Sequence, residues 1–102
     1  MSSRRTSRTG TIYLLHFDRP LHHARHYLGW TENLDERLAA HESGSGACIL
    51  AACRASGIGW RLARTWTGTR HEERRLKRCK MAPRYCPTCR EERRAWKSQR
   101  AS

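Results

Sequence analysis

The chain has 102 residues, and its 21 Lys and Arg against nine Asp and Glu give a formal charge of +12. This length fits a single domain with a modest core. So basic a chain attracts polyanions, which makes nucleic acid the first partner to consider. No stretch is long and apolar enough to span or lie in a bilayer, which argues against the rival partner, an anionic membrane.

The N-terminal segment, residues 1–9, is polar and basic, and we expect it to form a disordered arm. It lacks the apolar region of a secretory signal. An Arg- and Ser-rich start is also found in transit peptides, and a short basic arm on DNA is equally consistent with it. The five cysteines, an odd number without a signal, argue against a disulfide framework and for a reducing, cytoplasmic location.

Three segments predict strands. Residues 11–17 are β-branched, aromatic and aliphatic, which is typical of a largely buried strand. Pro20 predicts a turn, because proline does not continue a central strand. Residues 26–30 then form a second strand, so that the two strands make a hairpin with a long loop. Residues 60–66 alternate large and polar side chains and predict a third strand.

Three further segments predict helices. The first is capped by Thr31 and ends at the SGSG run, residues 43–46. The second covers residues 47–56 and is apolar on most sides, so we expect it to be buried. The third runs from Arg70 to Lys80, is capped by Thr69, and is stopped by the prolines that follow.

The resulting order, β-β-α-α-β-α, predicts a small α/β domain over residues 10–89. Its sheet has three strands, is mixed or antiparallel, and is flanked by helices. The polar basic tail, residues 90–102, is expected to fray or to extend as a loose helix.

The two strands of the hairpin contain the triplets Thr11-Ile12-Tyr13 and Tyr27-Leu28-Gly29. These resemble the motifs that name the GIY-YIG nuclease superfamily, which includes homing endonucleases and the catalytic N-terminal domain of excision-repair nucleases. Arg37 and His41 follow Tyr27 at the spacings of the family's helical arginine and its following His or Tyr.

The resemblance continues downstream and covers about residues 10–86. Glu73 begins E-R-R-L, which is similar to the metal-binding Glu of the family's last helix; Glu72 is the alternative. Pro83-Arg84-Tyr85 is similar to the closing P-x-Y. Thr11 stands in place of the family's first Gly, and Cys86 in place of the usual Asn after P-x-Y.

The resemblance implies an endonuclease that hydrolyses DNA with one Mg²⁺ or Mn²⁺, in DNA repair or processing. Tyr13 would be the general base, Arg37 the phosphate binder and Glu73 the metal ligand, with Tyr27 and His41 orienting water or moving a proton. A free phenol titrates near pH 10. Nearby positive charge from Arg37, His41 or the metal would therefore have to lower the pKa of Tyr13.

Each of these residues also has a purely structural interpretation. Tyr13 resembles a core aromatic residue, and His41 could simply close its helix, where a positive charge is favourable. Glu73 could be an ion-pair partner within a helix that is dense in Arg and Lys. Two other function classes therefore stay open, a non-catalytic nucleic-acid-binding module and a small zinc-binding adaptor.

The C-P-T-C segment, Cys86 to Cys89, is half of a zinc knuckle, because structural Zn²⁺ requires four ligands. Cys79, with His71 on the same helix face, could complete it, although we favour an ordinary reduced turn. We expect Cys48 and Cys53 to be buried as small apolar residues. The histidines at 22, 23 and 26 are expected in a solvated loop, with weak adventitious metal binding as the alternative.

Seven basic residues are predicted to contact DNA phosphates, which positions a duplex without reading its sequence. They are Arg70, Arg74, Arg75, Lys77, Arg78, Lys80 and Arg84. Trp30, Trp60 and Trp66 are expected to pack in the sheet and core, whereas Trp96 could stack on a base. The oligomeric state and the preferred DNA substrate are left open by the sequence.

Overall fold

The computed structural model describes residues 8–80 and 82–101, without the side chains of residues 96–101. Three strands form one antiparallel sheet in the order β2-β1-β3, with β1 in the centre. They are β1 (Thr9–Leu21), β2 (Ala24–Thr31) and β3 (Trp60–Thr69). The helices are α1 (Leu34–Ser43), α2 (Cys48–Ala55), α3 (Arg70–Arg78), α4 (Ala82–Tyr85) and α5 (Pro87–Ala101). The predicted fold class and the order β-β-α-α-β-α are confirmed, and two further helices follow them.

The hairpin differs from the prediction, because β1 continues through Pro20 to Leu21 and a tight turn replaces the long loop. Pro20 fits because pairing with β3 ends at Phe17, and pairing with β2 is irregular between His16 and Leu21. No ladder hydrogen bond therefore requires an N–H at this proline. The turn includes His22, whose φ of 56° is left-handed.

Alternate residues of β1 contribute to two apolar clusters, as the twofold periodicity of a strand requires. Tyr13, Leu15 and Phe17 pack with Leu50, Cys53 and Ile58 on the face covered by α2. Ile12 and Leu14 pack with Leu28 and Cys86 on the other face, beside α4 and the start of α5. The central strand therefore separates two sets of side chains, and each set contains polar groups described below.

Of the two predicted helix caps, one is wrong and the other is confirmed. The N-cap of α1 is Asn33 rather than Thr31; the Asn33 side chain accepts a hydrogen bond from the Glu36 N–H. Thr31 instead bonds the backbone of Asn33. The predicted cap of α3 is present, since Thr69 forms a capping box with Glu72.

The predicted end of α1 is confirmed, whereas that of α3 differs. α1 ends at Ser43, the first residue of the SGSG run, and Gly44 after it has the left-handed conformation typical of a C-terminal cap. α3 ends at Arg78 rather than Lys80. Pro87 begins α5 instead of ending a helix, because the first helical position needs no N–H. The expected domain boundary at 89/90 therefore lies inside α5.

Two further expectations concern residues that the structure does not describe or describes only in part. The N-terminal arm lies mostly in residues 1–7, which are not described, while Thr9 already belongs to β1 and Arg8 pairs with Glu32 at 3.0 Å. The Trp96 side chain is also outside the description. Within residues 8–80 and 82–101, no helix is long and apolar enough to cross a bilayer.

Candidate functional site

Tyr13 is fully buried on β1, directly opposite Gly29 on β2. A Cβ at position 29 would overlap the phenol oxygen of Tyr13. The glycine of the Tyr27-Leu28-Gly29 triplet therefore leaves the space that the Tyr13 ring occupies. The two triplets are therefore linked by a steric requirement, because a side chain at position 29 would overlap the ring of Tyr13.

His41 lies in the last turn of α1 and is completely buried. Its Nε2 lies 2.7 Å from the hydroxyl oxygen of Tyr13, and its Nδ1 accepts the Ala47 N–H at 3.3 Å. Burial, and next the charge of Arg37, lower the pKa of His41. A neutral ring that accepts at Nδ1 carries its proton on Nε2, so His41 donates to the Tyr13 oxygen. His41 is therefore a buried neutral donor and not a charged helix cap.

Tyr27 and Arg37 complete a group of four side chains that we call the tyrosine cluster: Tyr13, Tyr27, Arg37 and His41. The Tyr27 ring centroid lies 6.1 Å from that of Tyr13 and 5.5 Å from that of His41. Arg37 is partly exposed and lines a surface concavity between β2 and α1. The cluster thus combines buried aromatic groups with a guanidinium that solvent can reach.

Burial dominates the titration of Tyr13 and raises its pKa to about 12. The neighbouring Arg37 guanidinium lowers this pKa, as expected from the sequence, but by less than burial raises it. In the absence of a metal ion, the Tyr13 phenol is therefore neutral at physiological pH. A general base at Tyr13 would need a lower pKa, from Arg37, His41 or a metal ion, and Arg37 by itself does not offset the effect of burial.

Glu73 on α3 is only 7% exposed. Among the described residues, its Oε2 has no hydrogen-bond partner, although Lys77 Nζ lies 3.7 Å away. Lys77 Nζ also lies 5.0 Å from the Tyr27 ring centroid, which brings the Glu73 carboxylate near the tyrosine cluster. Glu73 thus forms the ion pair with Lys77 that its structural interpretation predicts. Its buried Oε2 nevertheless has no hydrogen bond among the described residues. Such an oxygen fits a hard divalent cation.

Glu72 and Glu73 have different environments, which bears on the choice left open by the sequence. Glu72 is exposed and accepts from the Thr69 N–H and hydroxyl in the capping box. Only Glu73 has a buried carboxylate beside the tyrosine cluster.

The predicted phosphate-contacting residues are all exposed, and six of the seven lie on or directly after α3. We call them the basic surface: Arg70, Arg74, Arg75, Lys77, Arg78, Lys80 and Arg84. Trp30, Trp60 and Trp66 are half-buried. The Trp30 indole N–H donates to the Gly68 carbonyl at 3.0 Å, which fixes this ring against the sheet.

The predicted zinc ligands require correction. Cys79 and His71 are exposed and lie outside the one group of potential metal ligands found among the described residues. That group, which we call the His/Cys cluster, consists of His16, His26, Cys86 and Cys89. The four ligand atoms lie within 4.8 Å of one another. Imidazole and thiol ligands suit zinc better than Mg²⁺, so this cluster could hold a metal of the zinc type.

The sequence predicted neither histidine of the cluster as a zinc partner of Cys86 and Cys89. His26 belongs to β2 and not to a solvated loop, whereas His22 and His23 at the turn are exposed as expected. His16 is buried on β1 and pairs directly with His26 in the hairpin register. The sequence would have predicted that these two histidines face each other only if the register of the hairpin had been known.

The cysteines of the chain all have free thiols. Cys53 is buried as predicted, but Cys48 is exposed because it begins α2 at the surface. In the His/Cys cluster, burial lowers the pKa of His26 to about 4 and raises that of Cys89 to about 11. Without a metal ion, His26 and Cys89 are therefore uncharged at neutral pH.

Compared with family models, curated proteins and solved structures, the chain has no match in any of the three.

Proposed function

We propose that this chain is a DNA endonuclease that hydrolyses phosphodiester bonds with one divalent metal ion. The observation that supports it best is the tyrosine cluster beside the buried Glu73 carboxylate. These side chains come from β1, β2, α1 and α3, and Lys77 links the Glu73 carboxylate to the Tyr27 ring. Together they would supply the cation ligand, the phosphate-binding group and the proton acceptor that the reaction requires.

Glu73 would hold the ion, Mg²⁺ or Mn²⁺, through its Oε2. When bound, the ion supplies positive charge to the phosphate oxygens and favours ionisation of nearby acids. Mg²⁺ commonly binds through one or two carboxylates together with substrate phosphate, so a single buried carboxylate is sufficient. Lys77 would give up its contact with Glu73 and remain available for a DNA phosphate.

The chain's own groups then have distinct parts in the reaction. With the ion bound, the Tyr13 phenol would first lose its own proton to solvent, and the phenolate would then accept a proton of the attacking water. The N–H of His41 would stabilise this phenolate by hydrogen bonding. Arg37 presents a planar fork to two phosphate oxygens from the solvent-accessible side. Tyr27, between these groups and Lys77, orients the water.

The basic surface would bind the sugar–phosphate backbone next to this site. Contacts of this kind position DNA but do not read its sequence. We therefore propose an enzyme of low sequence specificity, or one that recognises DNA structure, acting in DNA repair or processing.

The test uses two adjacent substitutions of the same chemistry, E73Q and E72Q. Gln at position 72 can keep the capping box, so α3 is retained in both variants. Labelled nicked, branched and linear duplex DNA is incubated at low salt with Mg²⁺, Mn²⁺ or EDTA. We expect wild type and E72Q to cleave, E73Q to lose at least about 100-fold in rate, and EDTA to stop cleavage. Full cleavage by E73Q would refute the proposed metal site.

A non-catalytic DNA-binding module is the second candidate. The raised pKa of Tyr13 and the Glu73–Lys77 ion pair favour it, since both are what a purely structural tyrosine and glutamate would have. Binding of DNA by wild type and E73Q alike, without cleavage under any of the metal conditions, would support this candidate over the nuclease.

A further inference from the structure

We propose that the His/Cys cluster is a structural zinc site. One Zn²⁺ would be bound by His16 Nδ1, His26 Nε2 and the two Sγ atoms of Cys86 and Cys89. The site joins the β1–β2 hairpin to the C-terminal helices α4 and α5. It is separate from the proposed nuclease centre and does not depend on it.

The three distances from His16 Nδ1 to the other ligand atoms agree with a tetrahedron around zinc. Zn–N bonds of about 2.0–2.1 Å and Zn–S bonds of about 2.3 Å give N–N and N–S separations of about 3.3–3.6 Å. His16 Nδ1 lies 3.3 Å from His26 Nε2, 3.4 Å from Cys86 Sγ and 3.6 Å from Cys89 Sγ. The distance from His26 Nε2 to Cys89 Sγ, 3.1 Å, is somewhat shorter. A single ion can therefore reach all four atoms with little movement of the side chains.

Hydrogen bonding alone does not explain this arrangement. A ring nitrogen of a neutral histidine has either one proton or one lone pair, so it forms one good hydrogen bond. Three polar atoms nevertheless surround Nδ1 of His16 at close range. A shared metal ion satisfies all of these atoms at once, which a set of hydrogen bonds cannot.

The surroundings of His16 also match a zinc ligand. With Nδ1 directed at the metal, its other nitrogen, Nε2, faces Glu92 Oε1 on α5 at 3.8 Å. Arg25 Nη2 lies 3.6 Å from the same oxygen and holds the carboxylate near the ring. Metal-bound histidines commonly direct their second N–H toward such a carboxylate, which fixes the ring orientation.

The local backbone presents the two cysteines together. Cys86 follows α4, and Pro87 begins α5, so that Cys89 lies in its first turn. The Arg90 N–H donates to the Cys86 carbonyl at 3.1 Å and closes this turn. Both thiols then face the buried side of the hairpin, where the two histidines lie opposite each other in register.

The site would stabilise a part of the chain that has little apolar core of its own. α4 has only four residues, and none of them is fully buried. Because two ligands come from the hairpin and two from the segment after α4, bound zinc would tie α4 and α5 to the sheet. Formation of the site releases the two thiol protons, so that both sulfurs bind as thiolates.

The first experiment measures metal in the full chain, purified without added metal or chelator, by elemental analysis. We expect about one zinc per chain in wild type and almost none in C89S. The matched controls are C79S and C48S, which alter exposed cysteines outside the cluster and should keep their zinc. Absence of zinc from wild type, or zinc retained in C89S, would overturn the proposal, as would iron in its place.

A second measurement guards against a loss of zinc that results only from misfolding. Zinc in the wild type is replaced by Co²⁺, and the visible spectrum is recorded. We expect the intense absorption of tetrahedral cobalt together with sulfur-to-cobalt charge transfer. A weak spectrum typical of octahedral cobalt would contradict the four-ligand site. Because E73Q leaves the cluster intact, we expect it to retain zinc whether or not the chain cleaves DNA.

Discussion

The hydroxyl oxygen of Tyr13 and Nε2 of His41 lie 2.7 Å apart in the protein interior, although the residues belong to different elements. The backbone N–H of Ala47 donates to the other ring nitrogen of His41, Nδ1. The proton of the neutral ring is therefore on Nε2. His41 is thereby a donor to Tyr13, which leaves the phenol proton free to point elsewhere. This relationship gives the proposed nuclease its general base, and it also determines how the fold responds to substitution and pH.

Removal of the Tyr13 hydroxyl tests the catalytic role directly. We expect Y13F to lower the cleavage rate by about 10²–10⁴, the usual contribution of a general base. The variant leaves the His41 N–H without an acceptor, which should cost about 1–3 kcal/mol of folding free energy. Y85F is the matched control, because Tyr85 on α4 packs against Trp66 and lies outside the tyrosine cluster. Wild-type cleavage by Y13F would remove Tyr13 from the mechanism.

Substitution of Gly29 tests the steric relation between the two triplets. In G29A the new methyl group would overlap the Tyr13 phenol. We expect a loss of about 1–3 kcal/mol in the free energy of unfolding, as in other overpacked interiors. T65A changes the exposed residue that pairs with Tyr13 on the opposite strand, and it should alter stability far less. Chemical denaturation measures both variants, and equal stabilities would show that the ring moves aside without cost.

The stability of the chain should depend on the titration of His41. Its folded-state pKa is lowered by burial and by Arg37, so the fold favours the neutral ring. This stability is fully present above the unfolded pKa of about 6.5 and is lost as pH falls through the folded pKa. We expect unfolding free energy in urea to fall from about pH 7.5 to pH 5, and to fall less steeply in H41Q.

The contrast with H41Q isolates one histidine, because every other titratable group of the chain is the same in both proteins. Gln keeps an amide N–H that can reach Tyr13 but does not take up a proton. Parallel pH profiles for wild type and H41Q would mean that His41 is not the group responsible.

The basic surface should set the salt dependence of DNA binding. Each phosphate contact contributes about 0.9 to the slope of log affinity against log salt. We expect the double variant R74Q/R78Q to reduce this slope by roughly one to two, with weaker binding to every duplex sequence. R54Q, on α2, is the control, since that helix packs in the apolar cluster on the other face of β1 from the cluster that contains Leu76 of α3. A slope unchanged by R74Q/R78Q would place the DNA elsewhere.

Much of the fold could be predicted from the sequence because its signals are local. The apolar run from Ile12 to Phe17 predicts a buried strand whatever surrounds it, and Thr69 with Glu72 predicts a helix start. Where local signals compete, the prediction was wrong. Thr31 and Asn33 are both good caps, and only the geometry of the chain leaving β2 selects Asn33.

The proposed nuclease residues could be named from their order and spacing, but their environments could not. The packing of separate elements decides that burial raises the pKa of Tyr13 more than Arg37 lowers it. It also decides that Glu73, rather than Glu72, is buried. For Cys86 and Cys89, the sequence left half of a zinc site open as the alternative to an ordinary reduced turn. It assigned the wrong partners because the hairpin register was not known.

The sequence by itself determined the basic charge, the order of the elements and the residues able to bind phosphate or metal, because these follow from composition and local periodicity. The tertiary structure alone decided which of them meet. Ligand sets and pKa values depend on distances of a few ångströms between residues up to 73 positions apart, such as His16 and Cys89. The strand register sets such distances, and a shift of one residue would turn His16 away from the cysteines and Tyr13 away from His41.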